Sequence, residues 1–207
     1  YSQEEADAAA DEIAQLIALK EAEFAEPLLT PDEAVKEAMR IATSASKPVV
    51  IADTQDNPGC GGTADTVGML EALVQNKAQN AIFGVVKDSD VAAMAHQAGV
   101  GAEIETNLGG QADLPNVTPY HGRFKVEVIN NGVYQTTGPV AQGKMHNVGA
   151  AALLSIGGVK VAVASERVQA HDRSVFEHFG IVLQNLDIIV VKSTAHYRAH
   201  FDPIAET

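Results

Sequence analysis

The sequence predicts an α/β domain: a short, largely parallel sheet with flanking helices, joined to a β-hairpin-rich portion. Three observations lead there. Two continuous apolar runs, Val49-Val50-Ile51-Ala52 and Ala81-Ile82-Phe83-Gly84-Val85-Val86, have the pattern of strands buried on both faces. Each precedes a helical pattern: 66–76, with Val67, Met69, Leu70, Leu73 and Val74 as its apolar side, and 88–98, ended by Gly99. Strand, helix, strand, helix is the rhythm of a parallel sheet. Further on the pattern changes. Residues 102–106 and 124–129 alternate as half-exposed strands do, Asn130-Asn131-Gly132 is a hairpin turn signal, and Gly157-Gly158 separates two apolar runs as a second hairpin would. A last buried strand is predicted at 187–191.

Two helices lead in. In residues 4–24, Ala8, Ile13, Leu16, Ile17, Leu19 and Phe24 fall near helical spacing among Glu and Asp. Thr30-Pro31-Asp32-Glu33 then combines a Thr N-cap, Pro in the first turn and a capping-box Glu, starting a helix that runs to about Ser44 before Lys47-Pro48 ends it. The expected organisation is a helical lead-in over 1–45, the tail of a preceding domain, and an α/β domain over 46–207. Tyr1-Ser2-Gln3-Glu4-Glu5 begins in helical character, and Asp202–Thr207 follows directly on structured-looking sequence. A piece of a longer protein is therefore expected.

Composition narrows the class. Of the 207 residues 46% are hydrophobic, enough for a sizeable core; with no Trp and 5% aromatics, that core is aliphatic. Net charge is −13 with only 14 Lys and Arg, against both nucleic acid and an anionic membrane as partners. No apolar run reaches the about 18 residues of a membrane-spanning helix. The one cysteine, Cys60, cannot form an internal disulfide, so a cytoplasmic protein is expected.

The first candidate site is the loop Asp53-Thr54-Gln55-Asp56-Asn57-Pro58-Gly59-Cys60-Gly61-Gly62-Thr63-Ala64-Asp65-Thr66. It follows a buried strand and precedes a helix, where open α/β sheets bind ligands. Its glycines let backbone N–H groups approach a ligand, and Asp53 and Asp56 could accept hydrogen bonds or touch a metal. No Lys-Ser/Thr follows the glycines, so it is not a P-loop, and its aspartates repel a bare phosphate. The plainer reading is a tight turn, with Asn57-Pro58-Gly59 as a β-turn and Asp65 or Thr66 capping the next helix. Cys60 near that helix is either a nucleophile or a small residue in a crowded turn.

The second candidate is Lys192-Ser193-Thr194-Ala195-His196-Tyr197-Arg198, again at the C-terminal end of a strand. Lys192, Ser193, His196 and Arg198 suit an anionic group such as a substrate carboxylate. Alternatively, Ser193 caps a helix starting near Thr194, and Lys192 and Arg198 pair with Asp53 or Asp56. His146, and His171 beside Asp172, are weak candidates for metal ligation, since no metal-ligand array surrounds them. His96, His121, His178 and His200 suggest nothing further.

The run from Pro48 to Gly59, with the glycines after it and Asp65-Thr66, resembles the C-terminal domain of the microcystinase C (MlrC) family. So do Ala98-Gly99-Val100-Gly101, Gly109-Gly110, Thr137-Gly138-Pro139, Gly157-Gly158-Val159, Arg167-Val168-Gln169, Lys192-Ser193 and His196-Tyr197-Arg198-Ala199. Cys60 departs from the family's glycine-only run. The family is similar to zinc-dependent metallopeptidases, and its best-known members cleave linear peptides derived from the cyclic toxin microcystin. The resemblance implies a parent hydrolase whose zinc ligands lie in a larger N-terminal domain, absent here. It implies no catalytic residue and no bound metal in this chain. The partners it implies are that domain and a small peptide or amide substrate.

On this reading Asp53, Asp56, Asn57, Gly59, Gly61, Gly62 and Asp65 face the substrate cleft. Lys192, Ser193, His196 and Arg198 hold the substrate or the domain interface. The alternative is a non-catalytic module for a small anionic metabolite; a third reading has the loop only packing on its partner domain.

Overall fold

The computed structural model describes every residue except 1, 25–27, 113 and 116. It divides into two units, Tyr1–Thr30 and Pro31–Thr207. The first is helix α1 (Gln3–Leu19) and a 3-10 turn, Glu21–Phe24. Ser2 and Glu5 form a capping box: the Glu5 N–H donates to Ser2 Oγ at 3.2 Å, and the Ser2 N–H donates to Glu5 Oε2 at 2.8 Å. No residue of α1 is buried. A lone helix has nothing within its own unit to cover an apolar stripe.

The second unit begins with α2 (Pro31–Ala42), which packs on the first strand, β1 (Val49–Ala52), and on α3 (Gly68–Gln75). There follow β2 (Ala81–Lys87), α4 (Ser89–Ala98), β3 (Glu103–Leu108), β4 (Tyr120–Asn130), β5 (Val133–Gln135) and β6 (Met145–Asn147). The chain ends with β7 (Ala151–Ile156), β8 (Val159–Ala164), α5 (Ser174–Glu177), β9 (Ile188–Val191) and α6 (Arg198–Phe201). Among the described residues, seven strands form one sheet in the order β1-β9-β2-β8-β7-β4-β3. The first four are mutually parallel, and β7, β4 and β3 continue antiparallel.

This is the expected α/β architecture with its hairpin-built portion, and β7 and β8 turn at Gly157-Gly158 as expected. Asn130-Asn131-Gly132 behaves differently from the hairpin its sequence suggests. It carries the chain from the large sheet to a separate two-stranded sheet, where β5 pairs with β6 and not with β4. The turn is closed locally: the Gly132 N–H donates to Asn130 Oδ1 at 2.8 Å and the Val133 N–H to Asn131 Oδ1 at 3.2 Å. Asn130 is paired to Ala151 of β7, so on that side β4 is already occupied at the turn.

Alternating residues send side chains to two cores. Phe83 and Val86 of β2 join Val35, Leu70, Leu73, Val91 and Phe124 beneath α2, α3 and α4. Ile82 and Val85 join Val175, Phe176, Tyr197 and Phe201 beneath α5 and α6. The core is mainly aliphatic, with a few fully buried Phe rings. Chain leaving β1 and β2 therefore turns to one face of the sheet, and chain leaving β8 and β9 turns to the other. The C-terminal tail covers the outer edge of β1: the Val50 N–H donates to the Thr207 carbonyl at 2.9 Å, and the Glu206 N–H to the Pro48 carbonyl at 2.8 Å.

Burial divides the two units' contributions to stability. Leu70→Ala, at a fully buried position in α3, lowers unfolding free energy by about 2–5 kcal/mol in a urea titration. Leu16→Ala, exposed on α1, changes it by less than about 0.5 kcal/mol.

Candidate functional site

Both candidate segments lie at the C-terminal ends of parallel strands, and because β1 and β9 pair directly they lie side by side. The junction is Lys192, the first residue after β9, which is completely buried. An ammonium has three donors, and all three are used: Nζ donates to Asp53 Oδ2 at 2.9 Å, Asp56 Oδ1 at 2.6 Å and Thr66 Oγ1 at 3.0 Å. The ring of Phe83 lies 5.2 Å from Nζ. Asp56 uses its other oxygen as well, accepting the Thr66 N–H at 2.8 Å. One cation thus holds the start, middle and end of the loop.

Asn57 adds a second tie. Its Nδ2 donates to Thr194 Oγ1 at 2.8 Å, and its Oδ1 accepts the Gly59 N–H at 3.0 Å, capping a 3-10 turn over Pro58–Cys60. Gly61 follows at φ +90, a left-handed conformation that favours glycine. Gly62 lies so close to Asp56 that an added Cβ would stand 2.3 Å from the Asp56 carbonyl oxygen. Gln169, after β8, bridges Ser193 Oγ at 3.0 Å and His196 Nδ1 at 3.2 Å, and lies directly against Gly59. Arg167 donates through Nη1 to the carbonyls of Gly61 and Gly62 at 3.1 and 2.9 Å.

Asp65 faces a different neighbour. Its carboxylate accepts from Thr63 Oγ1 and, at 2.6 Å, from the Ala112 N–H, while its carbonyl accepts the Gly110 N–H at 2.7 Å. Asp88 braces the same neighbour. It caps α4 through Val91 and accepts from the Gly109 N–H at 2.9 Å and Gln111 Nε2 at 2.7 Å. The loop Asp53–Thr66 therefore lies between the Lys192 segment and the 109–112 turn. Next to it opens a cleft of about 430 Å³ between Gln55, Thr66, Gly68 and Glu71 on one side and Tyr120 and His121 on the other. Burial and the Glu71 charge push the Tyr120 hydroxyl pKa up.

Of the predicted residues, Asp53, Asp56, Asn57, Gly59, Gly61, Gly62, Lys192, Ser193 and His196 come together, and Asp65 joins them through Thr63 and the loop backbone. Arg198 stands apart from the expected pairing: it is exposed, makes no ion pair among the described residues, and lies 5.7 Å from the centre of the Tyr197 ring. The pairing fails because α6 starts only at Arg198, after a turn that carries it beyond the loop. Ser193 accepts from Gln169 rather than capping a helix. Neither Asp65 nor Thr66 caps α3, whose cap position is Val67 with no side-chain bond. Both residues already serve other partners. Cys60 is exposed, and Asn57 Nδ2 approaches its Sγ at 3.5 Å. Thr66, Thr194, Gln169 and Arg167 were missed as site residues. For Arg167 and Gln169 the available signal was the resemblance of Arg167-Val168-Gln169 to the family.

His146 and His171, the weak candidates for metal ligation, fall in a separate cluster with His178 and His200, and no metal-holding set forms there among the described residues. Tyr134 of β5 is stacked on His146 at 5.3 Å and on His178 at 4.7 Å, and the His146 and His171 rings are 6.0 Å apart. Beside them Asp172 accepts from Ser174 Oγ and the Gly138 N–H, both at 2.6 Å, with His200 Nδ1 at 3.2 Å. Burial tends to raise the Asp172 pKa, but the bonds from Ser174 and Gly138 and the His200 charge outweigh it and hold the carboxyl below its ordinary value. Burial lowers His146 and His200, and takes His178 from 6.5 to about 4.

Two outcomes follow from these contacts. Lys192→Met leaves two buried carboxylates without their cation and costs about 3–5 kcal/mol of stability by denaturant titration. For His178, the unfolded chain binds a proton that the folded chain resists. Stability is complete above pH 6.5 and declines as pH falls towards about 4. His178→Phe keeps a ring beside Tyr134 and flattens that decline in thermal melts at a series of pH values.

Comparisons with known proteins agree with this architecture. The chain is 26% identical over 154 residues to "Microcystinase C" of a Sphingomonas species, covering 74% of this chain and 30% of that protein. It superposes on the crystal structure of "Putative metallopeptidase" from Mesorhizobium sp. BNC1 with a TM-score of 0.85 at 23% identity, over 95% of this chain and 39% of that one, a likeness of fold. The chain thus spans well under half the length of either relative. The model of the family described as "MlrC C-terminus" matches residues 51–207, three quarters of the chain, and the chain belongs to that family.

Proposed function

We propose that this chain is the C-terminal part of a zinc-dependent, metallopeptidase-like hydrolase of the microcystinase C type, and that it shapes the substrate cleft for peptide or amide hydrolysis. The observation that carries the proposal is the junction at Lys192. In a member of this family, it holds the signature loop and the Lys192–Arg198 segment together at the sheet end where α/β proteins bind ligands. In this role the exposed edge of the loop, Gly59 to Gly61, lines the cleft, while the buried Asn57 and Asp65 fix its shape from beneath. His196 and Arg198, both exposed, contact substrate or the partner domain. Asp53, Asp56 and Lys192 hold the loop rather than perform chemistry.

The residues present do not fit a zinc site. Among those described, no three His, Cys, Asp or Glu side chains converge as a metal-holding set, and the carboxylates of Asp53 and Asp56 face Lys192. In this proposal the zinc belongs to an N-terminal domain of the longer protein, where it would supply Lewis-acid chemistry for amide hydrolysis. The single exposed cysteine suits the proposed cytoplasmic setting. No helix among the described residues is long and apolar enough to cross a membrane.

The test uses the longer, zinc-loaded protein with its N-terminal domain. It is expected to hydrolyse short linear peptides or simple amides, to lose that activity to a chelator and to regain it with zinc. Asn57→Ala is expected to raise KM about tenfold with little change in kcat, because the loop shapes the cleft without touching the reacting atoms. No hydrolysis across a broad peptide and amide panel would refute the proposal.

A further inference from the structure

A second pocket, of about 470 Å³, opens on the other side of the loop, within the size range of small-molecule sites. Its lining includes Asp65, Lys87, Gln111, Glu166 and Arg167. Lys87 is the last residue of β2, and Glu166 and Arg167 begin the chain leaving the adjacent parallel strand β8. From β2 the chain goes to α4 on one face of the sheet; from β8 it goes to α5 on the other. Neighbouring parallel strands whose connections part to opposite faces open a crevice between their ends, where such sheets take ligands.

The charges there are unusual for this molecule. Acidic residues number 27 against 14 basic ones, so a cation without a carboxylate partner stands out. Among the described residues, Lys87 Nζ makes no hydrogen bond or ion pair. Arg167 binds only the carbonyls of Gly61 and Gly62, through Nη1, and its Nε and Nη2 have no partner. Asp65 does not neutralise them, because its oxygens accept from Thr63 and Ala112. Gln111 is held in place by its bond to Asp88.

We propose that this pocket is a carboxylate-binding subsite in which Lys87 and Arg167 receive the free carboxylate of a short peptide or N-acylated amino acid. Arg167 is pre-positioned by the glycine loop, so little side-chain freedom is lost on binding. The nearby carboxylates of Asp65 and Glu166 disfavour a phosphate dianion, while Glu166 and the Gln111 amide can meet the ligand's N–H groups. The proposal rests on the hydrolase reading for the source of the ligand, a peptide or its product, but not for the site itself.

The probes are N-acetylalanine, N-acetylalaninamide and inorganic phosphate, titrated into the 207-residue chain and followed by backbone-amide NMR shifts. N-acetylalanine should saturate in the millimolar range, with the amide and phosphate at least tenfold weaker. Lys87→Gln, which removes an ammonium with no partner among the described residues, should fold normally and bind N-acetylalanine at least tenfold more weakly; Arg167→Gln should do the same. Any one of four results would overturn the assignment: no saturation by N-acetylalanine, equal binding of acid and amide, tighter binding of phosphate, or unchanged affinity in Lys87→Gln. The titration needs no hydrolysis, so its failure is distinct from a failure of the longer protein to cleave peptides.

Discussion

The ammonium of Lys192 is the contact on which the candidate site of this domain depends. A fourteen-residue loop rich in Gly, Asp and Asn has little reason to hold one shape, because its conformational entropy is high and it has almost no apolar side chain to bury. Here a single buried cation has all its donors used by residues at the loop's two ends and its middle. Burying a charge is costly unless it is paired and fully hydrogen-bonded, and both conditions are met. With its polar atoms satisfied inside, the loop presents Gly59, Cys60 and Gly61 along its outer edge.

The parallel half of the sheet explains why several functional candidates share one end. β1, β9, β2 and β8 all point the same way, so their C-terminal ends bring together Asp53, Lys192, Lys87 and Arg167 from distant stretches of sequence. The antiparallel half contributes differently. β3 and β4 frame the 109–120 segment, whose Gly109 and Ala112 amides dock on Asp88 and Asp65. The small sheet and the histidine cluster around Tyr134 lie in a separate part of the fold.

Much of this was legible in the sequence because the apolar runs are short, continuous and set apart by clear punctuation. Ala81–Val86 announced a buried strand, Asp88 and Gly99 the ends of α4, and Gly157-Gly158 a true hairpin; Val49–Ala52 is a strand as expected, but lies at the sheet edge with only Val49 buried. The Asn130-Asn131-Gly132 turn was misleading because turn chemistry specifies a local reversal and not which strand the chain pairs with afterwards. The loop and the Lys192 segment were visible as motifs, and pairing of Lys192 with Asp53 or Asp56 was foreseeable from charge. That Arg198 would not follow depended on where α6 begins, which no cap residue marks. Gln169 and Arg167 act through their place beside β9 and the loop, which only the strand order reveals.

Sequence separation gives the Lys192 junction a consequence in time. Its bond to Asp53 joins residues 139 positions apart, and the strand that delivers the lysine is the last of the sheet to be made. Contacts so distant in sequence form slowly, because a long stretch of chain must be ordered before they hold. During synthesis the loop emerges early and waits, Asp53 and Asp56 solvated, until β9 inserts between β1 and β2. The candidate rim is thus assembled last, and a nascent chain stalled before β9 has strands and helices but no fixed rim.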